Sequence, residues 1–132
     1  MPLLESVLSE QILAAFYYVY RALGFGFLES VYCNALCVQL QRSGLKVERE
    51  VPIEVVFEGV VVGRFRADIL VNDRIMIEVK ATKFLTDADD KQLMNYLKGT
   101  RIEIGYILHF GPTPQFRRKV FTNDRKGAVA TV

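Results

Sequence analysis

Hydrophobic positions follow two rhythms along this chain, and the change falls near residue 45. Leu8, Ile12, Ala15, Phe16, Val19 and Leu23 recur at three- and four-residue spacing, which predicts an amphipathic helix over about 4–23. Gly24 and Gly26 stop it. A second helix, about 28–43, buries Leu28, Val31, Tyr32, Ala35, Leu36 and Leu40 and is closed by Gly44. From Leu45 the pattern is that of strands, with valine-rich stretches at 47–57, 60–71 and 75–80. Glu58-Gly59 suits a tight turn between the first two. Thr86 then reads as an N-cap with Asp89 in the capping-box position, opening a helix that runs to about Lys98 and ends at Gly99. An apolar strand follows at 102–110, and 119–122 adds a short edge strand. The predicted order is α-α-β-β-β-α-β, an α/β fold with helices packed on one sheet.

The chain has 132 residues, 51% of them hydrophobic, enough for a single domain over 1–132 with one packed core. We expect that core over about 6–111 and a basic C-terminal extension over 112–132. Two cysteines and one histidine leave little to build a zinc site from. Cys33 and Cys37 lie four apart on a predicted helix, where a disulfide would distort the backbone. Reduced thiols and a cytoplasmic location follow as expectations. His109 sits in the apolar run Ile-Leu-His-Phe and reads as a packed strand residue rather than a general base. Carboxylates and lysine are then the tools left for catalysis. No window approaches the length of a membrane span, and the N-terminus lacks the charged region of a signal peptide.

The net charge of +2 is unevenly spread. Residues 1–66 carry six basic and seven acidic side chains, and residues 67–132 carry eleven and eight. The basic end includes Arg117-Arg118-Lys119, which serves either a polyanionic partner or an ordinary solvated surface. Tyr17, Tyr18, Tyr20, Phe25 and Phe27 cluster near the end of the first helix, for core packing, base stacking or a dimer interface.

The stretch 66–80 is the most informative. With Asn72-Asp73-Arg74 as a hairpin loop, Val71 faces Ile75, Ile69 faces Ile77 and Ala67 faces Val79, which makes one face wholly apolar. The other face pairs Leu70 with Met76, Asp68 with Glu78, and Arg66 with Lys80. A one-residue slip would mix the faces, so the pattern selects a register that sets two carboxylates opposite each other. Such a pair repels across about 5 Å. Either a divalent cation, magnesium or manganese, resolves the conflict, or Arg66 and Lys80 neutralise the two acids. In the first case the carbonyl of Val79 offers a further oxygen, and Lys80 stands on the same face to orient a water or a phosphate.

Asp68 followed by Glu78-Val79-Lys80 resembles the D…ExK signature of the PD-(D/E)xK nuclease superfamily. Gly26-Phe27-Leu28-Glu29-Ser30-Val31-Tyr32 forms a GxxExxY motif, and Gln92-Leu93-Met94-Asn95-Tyr96 a QxxxY motif. In this order the chain resembles the GxxExxY family of that superfamily, from about Leu8 through Gly111. The resemblance implies a restriction-endonuclease-like core, a mixed sheet flanked by helices. It implies phosphodiester hydrolysis of DNA or RNA with Mg²⁺ or Mn²⁺ as cofactor. Asp68, Glu78, Lys80 and Gln92 map to the catalytic set and Glu29, Asp68 and Glu78 to the metal ligands, with Gln92 beside the site and also in contact with nucleic acid. Arg117, Arg118 and Lys119 would meet the phosphate backbone. Asp89-Asp90-Lys91 stands where relatives commonly carry a histidine and an acid. The alternative is a catalytically silent binding module of the same fold, acting on nucleic acid or a protein partner, alone or as a homodimer, since Glu29 also reads as a helix-stabilising acid and Tyr32 and Tyr96 as core aromatics.

Overall fold

The computed structural model describes residues 4–127. Two helices come first, α1 (Ser6–Leu23) and α2 (Glu29–Arg42). Three strands follow, β1 (Val47–Phe57), β2 (Val60–Val71) and β3 (Ile75–Lys80), then α3 (Asp87–Lys98) and the strands β4 (Ile104–Phe110) and β5 (Pro114–Val120). The sheet runs β1-β2-β3-β4-β5, antiparallel throughout except for the β3–β4 pair. That parallel pair requires a crossover, which α3 provides.

The sheet is covered on both faces. Ile12, Phe16 and Val19 of α1 and Tyr32, Leu36 and Leu40 of α2 pack on Ile69, Ile77, Tyr106 and Phe110. On the opposite face Leu93 and Tyr96 of α3 pack on Ile53, Ala67, Met76 and Ile107. β3 and β4 are buried on both faces, as expected of strands in the middle of a two-sided sheet. Gly105 lets α3 lie close, because a Cβ there would stand 2.6 Å from Leu93 Cδ1.

The local signals act as expected at several points. Thr86 Oγ1 accepts the Asp89 N–H at 3.3 Å and Asp89 accepts the Thr86 N–H at 3.0 Å, a closed capping box. Glu58 and Gly59 both have positive φ, 48° and 81°, the requirement of the tight two-residue turn. The hairpin loop is Asn72-Asp73-Arg74, with Val71↔Ile75, Leu70↔Met76 and Ile69↔Ile77 paired.

Two expectations are corrected. The last strand is Pro114–Val120 rather than 119–122, so the sheet continues into the stretch expected as an extension; residues 128–132 lie outside the described residues. The apolar face of the hairpin is also not continuous. Ala67 does not join Ile69 and Val79 but packs on the α3 side. Beside this switch Glu50 of β1 has φ 51°, and it drops out of a ladder that pairs Arg49↔Ile69 and Val51↔Ala67. β2 thus changes the face it buries at Asp68.

Candidate active site

Asp68 lies where β2 parts from β3. The β2–β3 ladder stops at Ile69↔Ile77, and side chains take over the pairing beyond it. The Val79 N–H donates to Asp68 Oδ2 at 2.8 Å, and the Asp68 N–H donates to Glu78 Oε1 at 3.2 Å. Each carboxylate therefore substitutes for a backbone carbonyl on the other strand. This satisfies two amides that would otherwise lose their partners as the strands separate. Asp68 is half-buried, while Glu78 is 3% exposed.

Burial pushes the Glu78 carboxyl up to about 8, and the charge of Asp68 adds to the rise against the pull of the Asp68 N–H and Lys80. Arg66 does not relieve the pair. It is mostly exposed and reaches Glu50 instead, at 3.8 Å. Lys80 turns toward α3, where its ammonium donates to Gln92 Oε1 at 3.0 Å and lies 3.8 Å from Asp89. The alternative in which Arg66 and Lys80 together neutralise the two acids is therefore not formed.

The QxxxY spacing puts Gln92 and Tyr96 one helical turn apart. Gln92 Nε2 donates to the Tyr96 hydroxyl at 2.9 Å, which fixes the amide so that its oxygen faces Lys80. Burial and then the charge of Glu78 push Tyr96 up to about 12, and the Gln92 hydrogen bond opposes them. Tyr96 is both a core aromatic and the end of a chain running Lys80–Gln92–Tyr96.

Glu29 occupies the first turn of α2. Loss of part of its hydration and the charge of Asp68 raise its carboxyl, Lys80 lowers it, and Asp89 raises it slightly. Its field thus meets those of the site residues. Among the described residues, however, no three His, Cys, Asp or Glu side chains form a group able to hold a metal ion. What the fold interlocks is the Asp68–Glu78 pair. Two carboxylates are a donor set that suits a hard divalent cation such as Mg²⁺, which typically takes one or two of them and keeps several waters.

Tyr32 of the GxxExxY motif has a defined task. Its hydroxyl donates to the Gly24 carbonyl at 2.5 Å and accepts the Phe27 N–H at 3.1 Å, which ties down the loop that leads into Glu29. Phe25, Phe27 and Leu28 of that loop stay exposed. His109 is buried beside Lys80 in register, with Nε2 donating to the Thr82 carbonyl at 2.6 Å. Cys33 and Cys37 are free, buried thiols, and burial pushes Cys33 up to about 12.

The basic run on β5 divides by strand alternation. Arg117 and Lys119 reach Asp90 of α3, the lysine at 3.5 Å, while Arg118 donates to the Leu4 carbonyl at 2.9 Å near the start of α1. Asp90 was not singled out from the sequence, because nothing local links it to residues 27 and 29 positions further on. The Asp89 contact to Lys80 was more accessible, since Asp89 shares a helix face with Gln92.

The sequence matches the PD-(D/E)XK nuclease superfamily over residues 6–120, and the chain belongs to that superfamily. Comparison with curated protein sequences returns no match. Among solved structures, the crystal structure of SSO0001 is similar, with TM-score 0.59 and 20% identity. The similarity covers 88% of this chain but only 59% of that one, and it concerns the fold. Among the described residues no helix is long and apolar enough to cross a membrane.

Proposed function

We propose that this chain is a metal-dependent nuclease of the GxxExxY type, cleaving phosphodiester bonds of nucleic acid in the cytoplasm. The observation that carries the reading is the interlocked Asp68–Glu78 pair with Lys80 fixed beside it by Gln92. Asp68, Glu78 and the Val79 carbonyl would hold Mg²⁺ or Mn²⁺, with Glu29 as a further acid whose charge couples to that of Asp68. Such an ion supplies a water of lowered pKa and Lewis-acid polarisation of the phosphate.

The protein's own groups do the positioning. An ammonium carries three N–H donors, and Gln92 takes one from Lys80 while Asp89 attracts the group electrostatically. A donor remains for a water or a phosphate oxygen, where a fixed positive charge stabilises the charge that develops during attack. Gln92, Arg117, Arg118 and Lys119 are the proposed contacts to nucleic acid. Arg117 and Lys119 would exchange Asp90 for phosphate, and Arg118 would add to binding from the other face of β5.

A second reading, a silent binding module of the same fold acting alone, as a homodimer or with a protein partner, draws on the absence of a three-acid group among the described residues. The assay that separates the two incubates the protein with single- and double-stranded DNA and RNA in the presence of Mn²⁺. Cleavage by the wild type that falls about 10²–10³-fold in Lys80→Ala and vanishes in Asp68→Ala is the expected result. Product undiminished in Lys80→Ala overturns the assignment, and binding without cleavage under every condition supports the silent module.

A further inference from the structure

The chain between the candidate site and the β1–β2 turn carries a feature that hydrolysis itself does not use. A cavity of about 400 Å³ opens between α3 and β2, lined by Phe65, Asp89, Lys91, Gln92, Asn95 and Tyr96. A second, of about 260 Å³, shares Phe65 and Asn95 with it and extends past Val55, Val62 and Gly63 to Lys98. Together they form one groove that begins at Gln92 and follows α3 away from the site.

Phe65 is the centre of this groove. Its ring packs on Tyr96 at 5.6 Å between centroids, yet the residue remains 36% exposed. The ring is therefore held from one side and open on another. Gly63, two residues earlier on the same strand face, helps keep it open. A Cβ there would stand 3.2 Å from Phe65 Cε2 and fill the groove beside it. Lys91 lines the groove near the site, Lys98 lines its far end with its ammonium resting 5.6 Å from the Phe121 ring centroid, and Asp89, the acidic member, faces Lys80. Asn95, at the junction of the two cavities, carries an amide with donor and acceptor groups for a base edge.

We infer that this groove binds unpaired nucleotides of a single-stranded substrate, with Phe65 as the platform on which a base stacks. The inference rests on the nucleic-acid reading above and narrows its substrate class. An aromatic face flanked by cations fits single strands, because their bases expose the π-faces that a duplex covers with neighbouring pairs. The groove shares Gln92 with the candidate site, so a strand lying in it would run on toward Lys80 and Asp68. A purely apolar partner would gain nothing from Lys91 and Lys98 and would bury the Asn95 amide.

The test measures binding in EDTA, so that no cleavage intervenes, using fluorescein-labelled oligo(dT) and oligo(rU) and a DNA duplex of equal length. Phe65→Ala should weaken binding to the single strands about tenfold and leave the duplex unchanged, while Phe65→Tyr retains wild-type affinity. Gly63→Val, which fills the groove and keeps the ring, should give the same selective loss and carries the test if Phe65→Ala fails to fold. Unchanged single-strand affinity in the folded variants, equal loss for duplex and single strand, or no single-strand binding by the wild type overturns the proposal. The nuclease reading fails on a different result, an absence of metal-dependent cleavage, and the Phe65 effect would stand without it.

Discussion

Glu78 is buried with one carboxylate oxygen on the Asp68 amide, and the carboxylate of Asp68 holds the next amide after Glu78. The two acids clasp the strands and repel each other at once. The Glu78 carboxyl rises from 4.5 to about 8, so the folded state binds more protons than the unfolded chain between these values. Stability of the metal-free protein therefore falls as pH rises from about 5 through 8, by an amount on the order of 5 kcal/mol when Glu78 is fully ionised. Urea denaturation at pH 5.5 and 8.5 measures it. Glu78→Gln, which keeps the hydrogen bond to Asp68, should flatten the dependence, and an equal slope in that variant would refute the assignment.

A divalent cation should reverse this trend. Because a ligand for the native state stabilises it in proportion to occupancy, Mg²⁺ or Mn²⁺ at 100 times its Kd adds about 2.7 kcal/mol. The rise in Tm should be larger at pH 8 than at pH 6, since Glu78 must lose its proton to serve as a ligand. Asp68→Ala should show no rise at either pH. Equal stabilisation of wild type and Asp68→Ala would place the ion elsewhere.

Gln92→Ala removes the acceptor for Lys80 and the donor to Tyr96 together. We expect a loss of about 10²-fold in kcat if nuclease activity is present, with a stability change within about 1 kcal/mol. Gln92→Glu keeps an acceptor for the ammonium and should recover part of the rate. A loss in melting temperature that fully accounts for the loss in rate would mean that Gln92 only supports the fold.

Tyr32→Phe keeps the ring contacts with Phe27 and Phe110 but deletes both hydroxyl hydrogen bonds to the loop at residues 24–27. The expected cost is about 1–3 kcal/mol, read as a lower urea midpoint at unchanged m-value. Amide exchange at Phe27 should accelerate by more than that at Leu36 in the core of α2. Equal acceleration at both would rule out a local role.

Gly105→Ala tests the seat of α3. The added methyl would meet Leu93, buried between helix and sheet, and overpacking of this kind costs about 1–3 kcal/mol. Leu93→Ala in the same chain should relieve part of that clash, so the double variant should be more stable than the sum of the single effects predicts. Strict additivity would refute the contact.

The alternation of apolar residues made the loop 72–74 and the pairing Ile69↔Ile77 readable in advance, because a slip there would expose core side chains. Thr86 and Asp89 marked the start of α3 for a local chemical reason, the reciprocal cap. The same logic of alternation misplaced Ala67, since it assumes an unbroken ladder and the ladder breaks at Asp68. β5 was misread because Arg117, Arg118 and Lys119 hide its alternation, and its pairing with β4 is a long-range fact. The Asp68–Glu78–Lys80 spacing showed which residues to examine, whereas the turn of Lys80 toward Gln92 depended on where the crossover helix lands.

The change of face at Asp68 makes β2 sensitive to length on one side and tolerant on the other. Ile69 and Val71 are anchored in the helical layer of α1 and α2, while Ala67 is anchored under α3. One residue added to or removed from the loop 72–74 would pull Asp68 off the Val79 amide and disconnect both anchors. Residues added at Glu58-Gly59 would lengthen only the free end of the arm, beyond the register shift at Val55/Val56. Natural or engineered insertions should accumulate at that tip, so a binding segment grafted there would leave the aspartate's position intact.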